Sequence, residues 1–406
     1  MSLKCNQKLG SLNLQISCNT SQPPVQIALV TETFLPEING VASTLSRLVV
    51  GLGNRGHKVT IIRPKQRGEP MSGPRIFNAA EGFEQCLVHG WPIPFYNSLR
   101  AGSPAGGLLR KRWTENRPDV VHVATEGPLG YSALKTARAM GIPATSSFHT
   151  NFHQYGGHYG MGFGRGWIIR YLRWFHNQAA CTLVPTTSME TELAKMNFER
   201  LAVLSRGVDA RLFNPIRRNE ELRKAWGVTS EHPVVIYVGR LAAEKNLNLA
   251  VEAYQAMRLI NPRARFVLVG DGPLKSRLQE RYPDFIYAGT RQGEELAAYY
   301  ASADVFMFSS VTETFGNVVT EALASGLVVI GYDYAAMRQH VRDGVNGFAA
   351  KYCDRDAFLE IARAVIVRRA DWPAVRAAAR VTGQSISWEA VIGQFEAKLA
   401  GAAKSR

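Results

Sequence analysis

The sequence is poor in the features that build disulfide scaffolds, zinc fingers and membrane spans. Its five cysteines, among 406 residues, are scattered and form no C-x-x-C pair. An odd and dispersed set argues against a disulfide framework and fits a reducing cytoplasm. No apolar run reaches the length that a transmembrane helix needs. Residues 1–24 are polar and lack the apolar core of a secretory signal, so we expect a flexible N-terminal tail.

Common cofactor and metal signatures are missing as well. No G-x-G-x-x-G follows the first strand-like run, which argues against a nicotinamide cofactor, and no P-loop signature is present. His149 and His153 share a helical spacing but have no glutamate between them, unlike a zinc-protease motif. Asp354 and Asp356 imitate an acidic metal pair, yet they precede a helical run and are better explained as N-terminal helix capping. We therefore predict no cofactor and no metal.

Acidic residues are fewer than basic residues in this sequence. The chain has 33 Asp and Glu against 48 Lys and Arg, a formal net charge of +15. This excess predicts attraction to nucleic acid, to an anionic membrane surface or to a phosphorylated substrate, unless it serves general solubility. No nucleic-acid-binding motif is visible and the basic residues are dispersed, so nucleic acid is not the expected partner. A basic nucleic-acid-binding protein remains an alternative.

Strand-like runs alternate with amphipathic helical runs along the whole chain, which predicts a parallel α/β architecture. The first strand starts at Val25, and the pattern restarts after Pro215 with a strand over 233–238. We therefore predict two Rossmann-like domains, residues 25–214 and 215–384. In such sheets ligands bind at the carboxyl ends of the strands.

The most informative segment is the run from Glu313 to Glu321. It follows an apolar strand over 304–308, and a helix is predicted to open near Gly316. A helix that starts directly after a strand offers unpaired N–H groups and the positive end of its dipole, which suit phosphate. Asn317 and Glu321 are four residues apart and share a face. One carboxylate before the helix and one along it suit a sugar attached to a nucleotide.

Other polar residues lie on loops at the same predicted edges. Arg240 and Lys245 follow the first strand of the second half, where two cations would neutralise a diphosphate. Gly40, at a helix start in the first half, would let the backbone approach the same phosphates. His149 ends the strand over 143–148, where a hydrogen-bonding or proton-relay role is geometrically possible.

As a set, these residues resemble the retaining glycosyltransferases of the GT-B fold, specifically family four. The resemblance runs from about residue 25 to the end. It is carried by the Glu313/Glu321 and Arg240/Lys245 pairs, by the segments 270–273, 206–209 and 147–150, and by the Asn39-Gly40 loop.

The resemblance implies two Rossmann-like domains that face each other across a cleft, with a C-terminal helix over 385–406 crossing back to the first domain. It implies that Glu313 and the backbone of 315–317 hold the donor sugar, Glu321 the ribose, and Arg240, Lys245 and Gly40 the diphosphate. His149 is then near the reacting centre, and Arg291 and Leu296 lie by the base and ribose. The implied catalytic group is His149, Glu313, Arg240 and Lys245; the implied donor-binding group is Gly40, Arg206, Arg291, Leu296, Phe315, Gly316, Asn317, Val318 and Glu321. Since the family is described as reacting by front-face return, we expect Glu313 to bind and orient rather than to attack.

Residues 162–176 mix aromatic and arginine side chains in an amphipathic pattern. Helices of this kind lie on anionic bilayers, although a core-facing helix with solvated arginines is the alternative. The segment 151–159 could line the acceptor entrance, and its glycine pair suggests a mobile loop. The candidate acceptor and membrane residues are Tyr155, His158, Trp167, Arg170, Arg173 and Trp174. We expect a peripheral enzyme at the cytoplasmic face of the membrane, acting on diacylglycerol or a glycosyl-diacylglycerol.

Residue types alone set neither the base nor the sugar nor the oligomeric state. The resemblance favours GDP-mannose as donor, with UDP-glucose or UDP-glucuronate next. A transferase of polysaccharide assembly with a soluble saccharide acceptor is an alternative, as is another GT-B enzyme such as an epimerase or a phosphorylase.

Overall fold

The computed structural model describes residues 23–35, 37, 39–66, 69, 75–77, 83–93, 96–149 and 164–404. These residues form two α/β domains, each built on its own largely parallel sheet. Within them, no helix combines the length and the apolar character needed to cross a membrane.

The first domain is built on an eight-stranded sheet in the order β10-β9-β8-β7-β1-β2-β4-β3, in which only β3 pairs antiparallel. A separate hairpin is formed by β5 and β6. Its strands are β1 (Gln26–Val30), β2 (Lys58–Pro64), β3 (Arg75–Phe77), β4 (Phe83–Val88), β5 (Gly90–Ile93), β6 (Tyr96–Gly102), β7 (Val120–Val123), β8 (Ala144–Ser147), β9 (Cys181–Val184) and β10 (Leu201–Val203). Its helices are α1 (Gly40–Asn54), α2 (Gly106–Glu115), α3 (Pro128–Ala139), α4 (Gly164–His176) and α5 (Thr187–Lys195).

The second domain is built on a six-stranded parallel sheet in the order β13-β12-β11-β14-β15-β16. Its strands are β11 (Val234–Val238), β12 (Arg265–Val269), β13 (Ile286–Gly289), β14 (Val305–Phe308), β15 (Val328–Tyr332) and β16 (Phe348–Ala350). Its helices are α6 (Glu220–Ala225), α7 (Leu247–Ile260), α8 (Lys275–Arg281), α9 (Gly293–Ser302), α10 (Asn317–Ala324), α11 (Ala335–His340), α12 (Arg355–Val367) and α13 (Trp372–Ser385), followed by α14 (Trp388–Lys404).

Short-range chemistry fixes several helix starts. Asp354 caps α12 by accepting a hydrogen bond from the Ala357 N–H, so the capping interpretation of this acidic pair is confirmed. The Thr186 hydroxyl caps α5 by accepting a hydrogen bond from the Met189 N–H. Pro128 occupies the first turn of α3, where its missing N–H costs nothing.

Helix α14 belongs to the core of the first domain although it comes last in the chain. Phe395 and Leu399 are buried with Leu29 and Val49 of that domain. Glu396 accepts hydrogen bonds from Arg55 and from the Nε2 of His57, the latter at 2.9 Å. These contacts anchor the end of the chain to α1 and β2.

Two chain segments therefore connect the domains, and they touch each other. The Val208 N–H donates to the carbonyl oxygen of Ile386 at 2.9 Å, and Val208 forms an isolated parallel bridge with Ser387. A side chain on Gly207 would come within 2.6 Å of the Trp388 backbone. The two crossings thus form one narrow junction.

Candidate functional site

Both sheets have a switch point, where the strand order reverses, and the polar loops predicted to bind a ligand gather there. In the first sheet the reversal lies between β1 and β7, and in the second between β11 and β14. Such reversals open a crevice at the carboxyl ends of the strands. The segments that follow β1, β8, β11 and β14 contain Gly40, His149, Lys245 and Glu313, respectively.

Glu313 and Lys245 meet directly. The Lys245 Nζ lies 2.5 Å from the Glu313 Oε1, and both side chains are mostly buried. Lys245 ends a 3-10 turn over Ala243–Lys245, and its carbonyl oxygen accepts a hydrogen bond from Ser309. The Glu313 carbonyl oxygen accepts from the Tyr334 hydroxyl at 2.8 Å. Loop contacts from three strands therefore hold this ion pair in place.

Helix α10 starts without a side-chain cap. Its N-cap is Gly316, whose φ of 93° lies in the left-handed region that favours glycine. The predicted opening near Gly316 is confirmed, and Gly326 follows the end of the helix with a φ of 67°. The N-terminal N–H groups of this helix have no side-chain cap, and groups of this kind can bind an anion.

Glu321, on the same helix, is held by a residue that no local pattern identified. The Tyr300 hydroxyl donates to the Glu321 Oε2 at 3.0 Å. Burial raises the pKa of Glu321 to about 7, against the opposing effects of this hydrogen bond and of the Arg47 charge. Tyr300 lies on α9, and only the tertiary fold brings it to Glu321.

His149 sits at the end of β8 with both ring nitrogens withdrawn from solvent. Neither nitrogen has a hydrogen-bond partner among the described residues. Burial lowers its pKa well below the usual value, and the Arg206 charge and two nearby histidines act in the same direction. A neutral imidazole at this place can donate or accept one hydrogen bond to a bound molecule.

The remaining predicted donor residues lie around α10. The Phe315 ring is fully buried, and the Arg206 guanidinium lies over it at 5.8 Å. Arg291 pairs with Glu295 at 2.6 Å and lies over the Tyr299 ring. Leu296 and Val318 are partly buried against the second-domain core. Arg240 pairs with Glu244 at 3.3 Å, and its side chain is 59% exposed.

The first domain contributes Gly40, the first residue of α1, to the same region. A side chain on Gly40 would lie 3.5 Å from the Arg206 Nη1 and 3.9 Å from the Asn317 Nδ2. The starts of α1 and α10 therefore approach each other across the cleft.

Helix α4 has a buried side and an outer side, and the residues expected to contact the acceptor or the membrane are not on its buried side. Its buried side is formed by Leu172 and Phe175, whereas Trp167 is 74% exposed and Trp174 is 45% exposed. Arg170 is also exposed and Arg173 is half-buried. The helix thus packs on the domain and also presents aromatic and basic side chains outward. Tyr155 and His158 lie outside the described residues.

A half-buried carboxyl that the sequence did not reveal, Glu32, lies near this helix. Burial raises the pKa of Glu32 to about 7, and the Leu129 N–H at the start of α3 donates to its Oε1 at 3.1 Å. Glu126 adds a like charge nearby. No spacing rule marks Glu32, because its environment is built by α3.

Among the described residues, no group of three or more His, Cys, Asp or Glu side chains is arranged to hold a metal ion. A cavity of about 470 Å³ lies at the opposite, amino ends of β1 and β2, lined in part by Lys58 and Trp113. It is far along the strands from the loops described above and is not part of the cleft.

Comparison with solved structures identifies the fold. A sucrose-phosphate synthase from Thermosynechococcus elongatus superposes with a TM-score of 0.74 at 18% identity, over 93% of this chain and 100% of that one. The predicted architecture is confirmed: two Rossmann-like domains in the GT-B arrangement.

Sequence relatives identify the class of enzyme. A GDP-mannose-dependent alpha-mannosyltransferase from Mycobacterium tuberculosis is 34% identical over 92% of this chain and 97% of its own length. An alpha-monoglucosyldiacylglycerol synthase from Acholeplasma laidlawii is 28% identical over 80% of this chain and 84% of its own length. The fold and these relatives define a glycosyltransferase.

Two sequence profiles make the assignment more specific. Residues 38–212 match Glycosyltransferase Family 4, and residues 232–367 match Glycosyl transferases group 1. The chain belongs to family four of the GT-B glycosyltransferases, as the resemblance implied.

Proposed function

We propose that the enzyme transfers mannose from GDP-mannose, with retention of configuration and without a metal ion, to a diacylglycerol-based acceptor at an anionic membrane surface. The observation that carries this proposal is the meeting of the Lys245–Glu313 pair with the uncapped start of α10, opposite Gly40 of the other domain. The similarity to an enzyme named as GDP-mannose-dependent supports the donor.

The chemistry follows from the charges at this place. Transfer from a nucleotide sugar builds negative charge on the departing diphosphate. Lys245, Arg240 and the N–H groups of α10 supply fixed positive charge toward it, which stabilises the transition state without a metal ion. One well-placed donor of this kind contributes about 3 kcal/mol.

The carboxylates take binding roles in this proposal. Glu313 is paired with Lys245, so it is oriented to accept hydrogen bonds from sugar hydroxyls rather than to attack. Glu321 accepts from the ribose, and His149 lies near the reacting centre. Detection by mass spectrometry of a glycosyl adduct trapped on Glu313 would replace this mechanism with double displacement.

The first test is calorimetric titration with GDP, UDP, GDP-mannose and UDP-glucose in buffer containing a chelator. We expect the guanine nucleotides to bind and the uracil nucleotides to bind at least about tenfold more weakly, a difference of about 1.4 kcal/mol. Glu321→Gln serves as the site variant, and it should weaken every nucleotide that binds. If the uracil nucleotides bind more tightly, the proposed donor becomes a UDP-sugar. If none of the four nucleotides binds, the proposal is contradicted.

The acceptor is tested by transfer. Chelator-treated enzyme is incubated with the preferred donor and with vesicles containing diacylglycerol or a glycosyl-diacylglycerol, and soluble oligosaccharides serve as the competing acceptors. We expect product only in the lipid fraction, with the anomeric configuration of the donor by NMR. Transfer to oligosaccharides alone would favour a role in polysaccharide assembly.

Membrane docking rests on the outer side of α4. An aromatic and basic helix face binds anionic bilayers through both apolar burial and charge. We expect flotation with anionic vesicles, weaker flotation with neutral ones, and loss of both in Trp167→Ser. Trp91→Ser is the matched control, since Trp91 is 52% exposed elsewhere in the first domain. Equal recovery with neutral and anionic vesicles would contradict electrostatic docking.

A further inference from the structure

Arg206 is a buried cation at the junction of the two domains. Its side chain follows β10, and the residue is only 5% exposed. The Nη1 donates to the Asn317 Oδ1 at 3.5 Å, and the Nη2 is buried with no hydrogen-bond partner in the described part of the chain. Burial lowers the pKa of Arg206 to about 10, against the opposing effect of Glu313. The guanidinium therefore stays charged at neutral pH.

Arg206 differs from the other cations of the cleft. Each of the other three lies within ion-pair distance of a carboxylate: Lys245 with Glu313, Arg240 with Glu244 and Arg291 with Glu295. Arg206 has no such partner among the described residues. A buried charge without a counter-charge is costly, so a residue of this kind indicates that an anion completes the site.

The surroundings of Arg206 locate that anion. The guanidinium lies beside Gly40, the first residue of α1, and beside Asn317, the first residue of α10. The latter helix has eight residues and no side-chain cap. The Asn39 side chain already caps the start of α1, so the free N–H groups belong to α10. The positive end of α10 and the guanidinium repel one another when the space between them is empty, and they bind a phosphate or carboxylate well when it is filled.

The position is close to the reacting centre of the proposed reaction. The charge of Arg206 acts on His149, whereas Arg291, expected beside the base, lies with Glu295 and Tyr299 on α9. The phosphate nearest the transferred sugar is the terminal phosphate of the departing nucleoside diphosphate. Lys245 and Arg240 are each paired with a carboxylate, whereas Arg206 is not, so the charge of Arg206 is the one that no carboxylate offsets at this phosphate.

On the basis of the proposed function, we infer that Arg206 is a catalytic residue that binds the terminal phosphate of the nucleoside diphosphate during and after transfer. The bond between the anomeric carbon and the phosphate oxygen breaks, and its electron pair stays on that oxygen. A bond forms between the anomeric carbon and the acceptor oxygen, whose proton passes to the departing phosphate. Arg206 neutralises the charge that remains.

The test separates the terminal phosphate from the rest of the nucleotide. Affinities for GDP and GMP, or UDP and UMP if the wild type prefers uracil, are measured at pH 8 without acceptor. Arg206→Gln should weaken the diphosphate about tenfold to hundredfold, the effect of one charged hydrogen bond, and leave the monophosphate within about twofold. Arg206→Lys, which keeps the charge but loses the fork, should lie between the two.

A stability measurement distinguishes this role from a structural one. Because the empty protein buries an unpaired charge, Arg206→Gln should raise the Tm of the ligand-free enzyme and reduce the increase in Tm that GDP gives. Arg217→Gln, at an exposed arginine paired with Glu294, should change neither. A lower ligand-free Tm in Arg206→Gln together with equal losses for GDP and GMP would overturn the inference.

Two further outcomes are informative. Unchanged diphosphate affinity, with a loss of rate only toward acceptors that carry a carboxylate, would reassign the anion to the acceptor and overturn the inference. If the wild-type enzyme binds neither GDP nor UDP, the proposed function itself fails. Wild-type binding without a difference between the variants overturns only the role of Arg206.

Discussion

Nucleotide-sugar binding should depend on pH through Glu321. The pKa of this carboxyl is raised to about 7 by burial, although the Tyr300 hydroxyl and the Arg47 charge favour its ionised form. A carboxylate accepts hydrogen bonds from both ribose hydroxyls, whereas the neutral acid accepts less well and also has to donate. The ionised form is therefore expected to be the one that binds.

The size of the effect follows from the pKa. With a pKa of about 7, roughly one tenth of the carboxyl is ionised at pH 6 and roughly nine tenths at pH 8. Affinity for the nucleotide sugar should thus rise about tenfold between these values, equivalent to about 1.4 kcal/mol. Binding lowers the pKa, so a proton is released when the ligand binds near pH 7.

The assay is calorimetry from pH 6 to pH 8.5 in buffers with different ionisation enthalpies. A nucleotide sugar is preferable to a free diphosphate, whose terminal phosphate itself titrates near pH 6. Glu321→Gln should bind weakly with a flat pH profile. Glu32→Gln is the matched control, since this second carboxyl also has a pKa of about 7 and should leave the slope unchanged. A slope that persists in Glu321→Gln would refute the reasoning.

The raised pKa of Glu321 also makes the stability of the folded protein depend on pH. The folded, ligand-free protein favours the neutral acid, so Glu321 contributes stability below about pH 4.5, the usual value, and loses it as the pH rises through about 7. A bound ribose should offset that loss. The ligand-free wild type should therefore become less stable relative to Glu321→Gln as the pH rises from 5 to 8, and the difference between their Tm values should grow in favour of the variant.

Substitutions elsewhere should separate catalysis from stability. Lys245→Met should lower kcat about hundredfold in single-turnover assays, because one cation facing the departing diphosphate is lost, whereas Lys275→Met should not. Gly316→Ala should cost about 1–3 kcal/mol in urea unfolding, since a left-handed residue gains a side chain 3.0 Å from Phe308. Glu396→Gln should cost about 3 kcal/mol in the same assay, because Arg55 and His57 lose a buried partner.

Each of these outcomes can fail separately. An unchanged kcat in Lys245→Met at saturating donor would remove this residue from the catalytic group. Wild-type stability of Gly316→Ala would mean that the loop tolerates a side chain in another conformation. Glu389→Gln is the control for Glu396, since Glu389 is largely exposed on the same helix. Equal losses for the two would show that the buried pair does not anchor α14.

Much of the fold was predictable because its signals are local. The start of α10 at Gly316 and the cap at Asp354 depend on residues within one turn, and both are confirmed. The alternation of buried strands with helices predicted two parallel sheets, which the structure and its neighbours confirm. Some strands that were not predicted are short, like Phe348–Ala350, or contain proline, like Gly90–Ile93 with Pro92, whereas Phe83–Val88 was missed without either feature.

The site was less predictable, because its important partners are distant in sequence. Tyr300 is 21 residues from Glu321, and Lys245 is 68 residues from Glu313. Sequence spacing identified the acids and cations but could not pair them. It also gave no indication that Glu32 would have a raised pKa or that Arg206 would lack a counter-charge. The roles of the individual site residues remain predictions.

The last helix has a consequence for how the molecule is made. Phe395 and Leu399 of α14 fill the core of the first domain, yet the ribosome completes them only after the whole second domain. The part of the first sheet that α14 covers, at β7 and β8, therefore stays uncovered while residues 215–384 are synthesised and collapse on their own core. The first domain is translated first but completes its folding last. Its apolar surface therefore depends longest on chaperones or rapid synthesis for protection against aggregation.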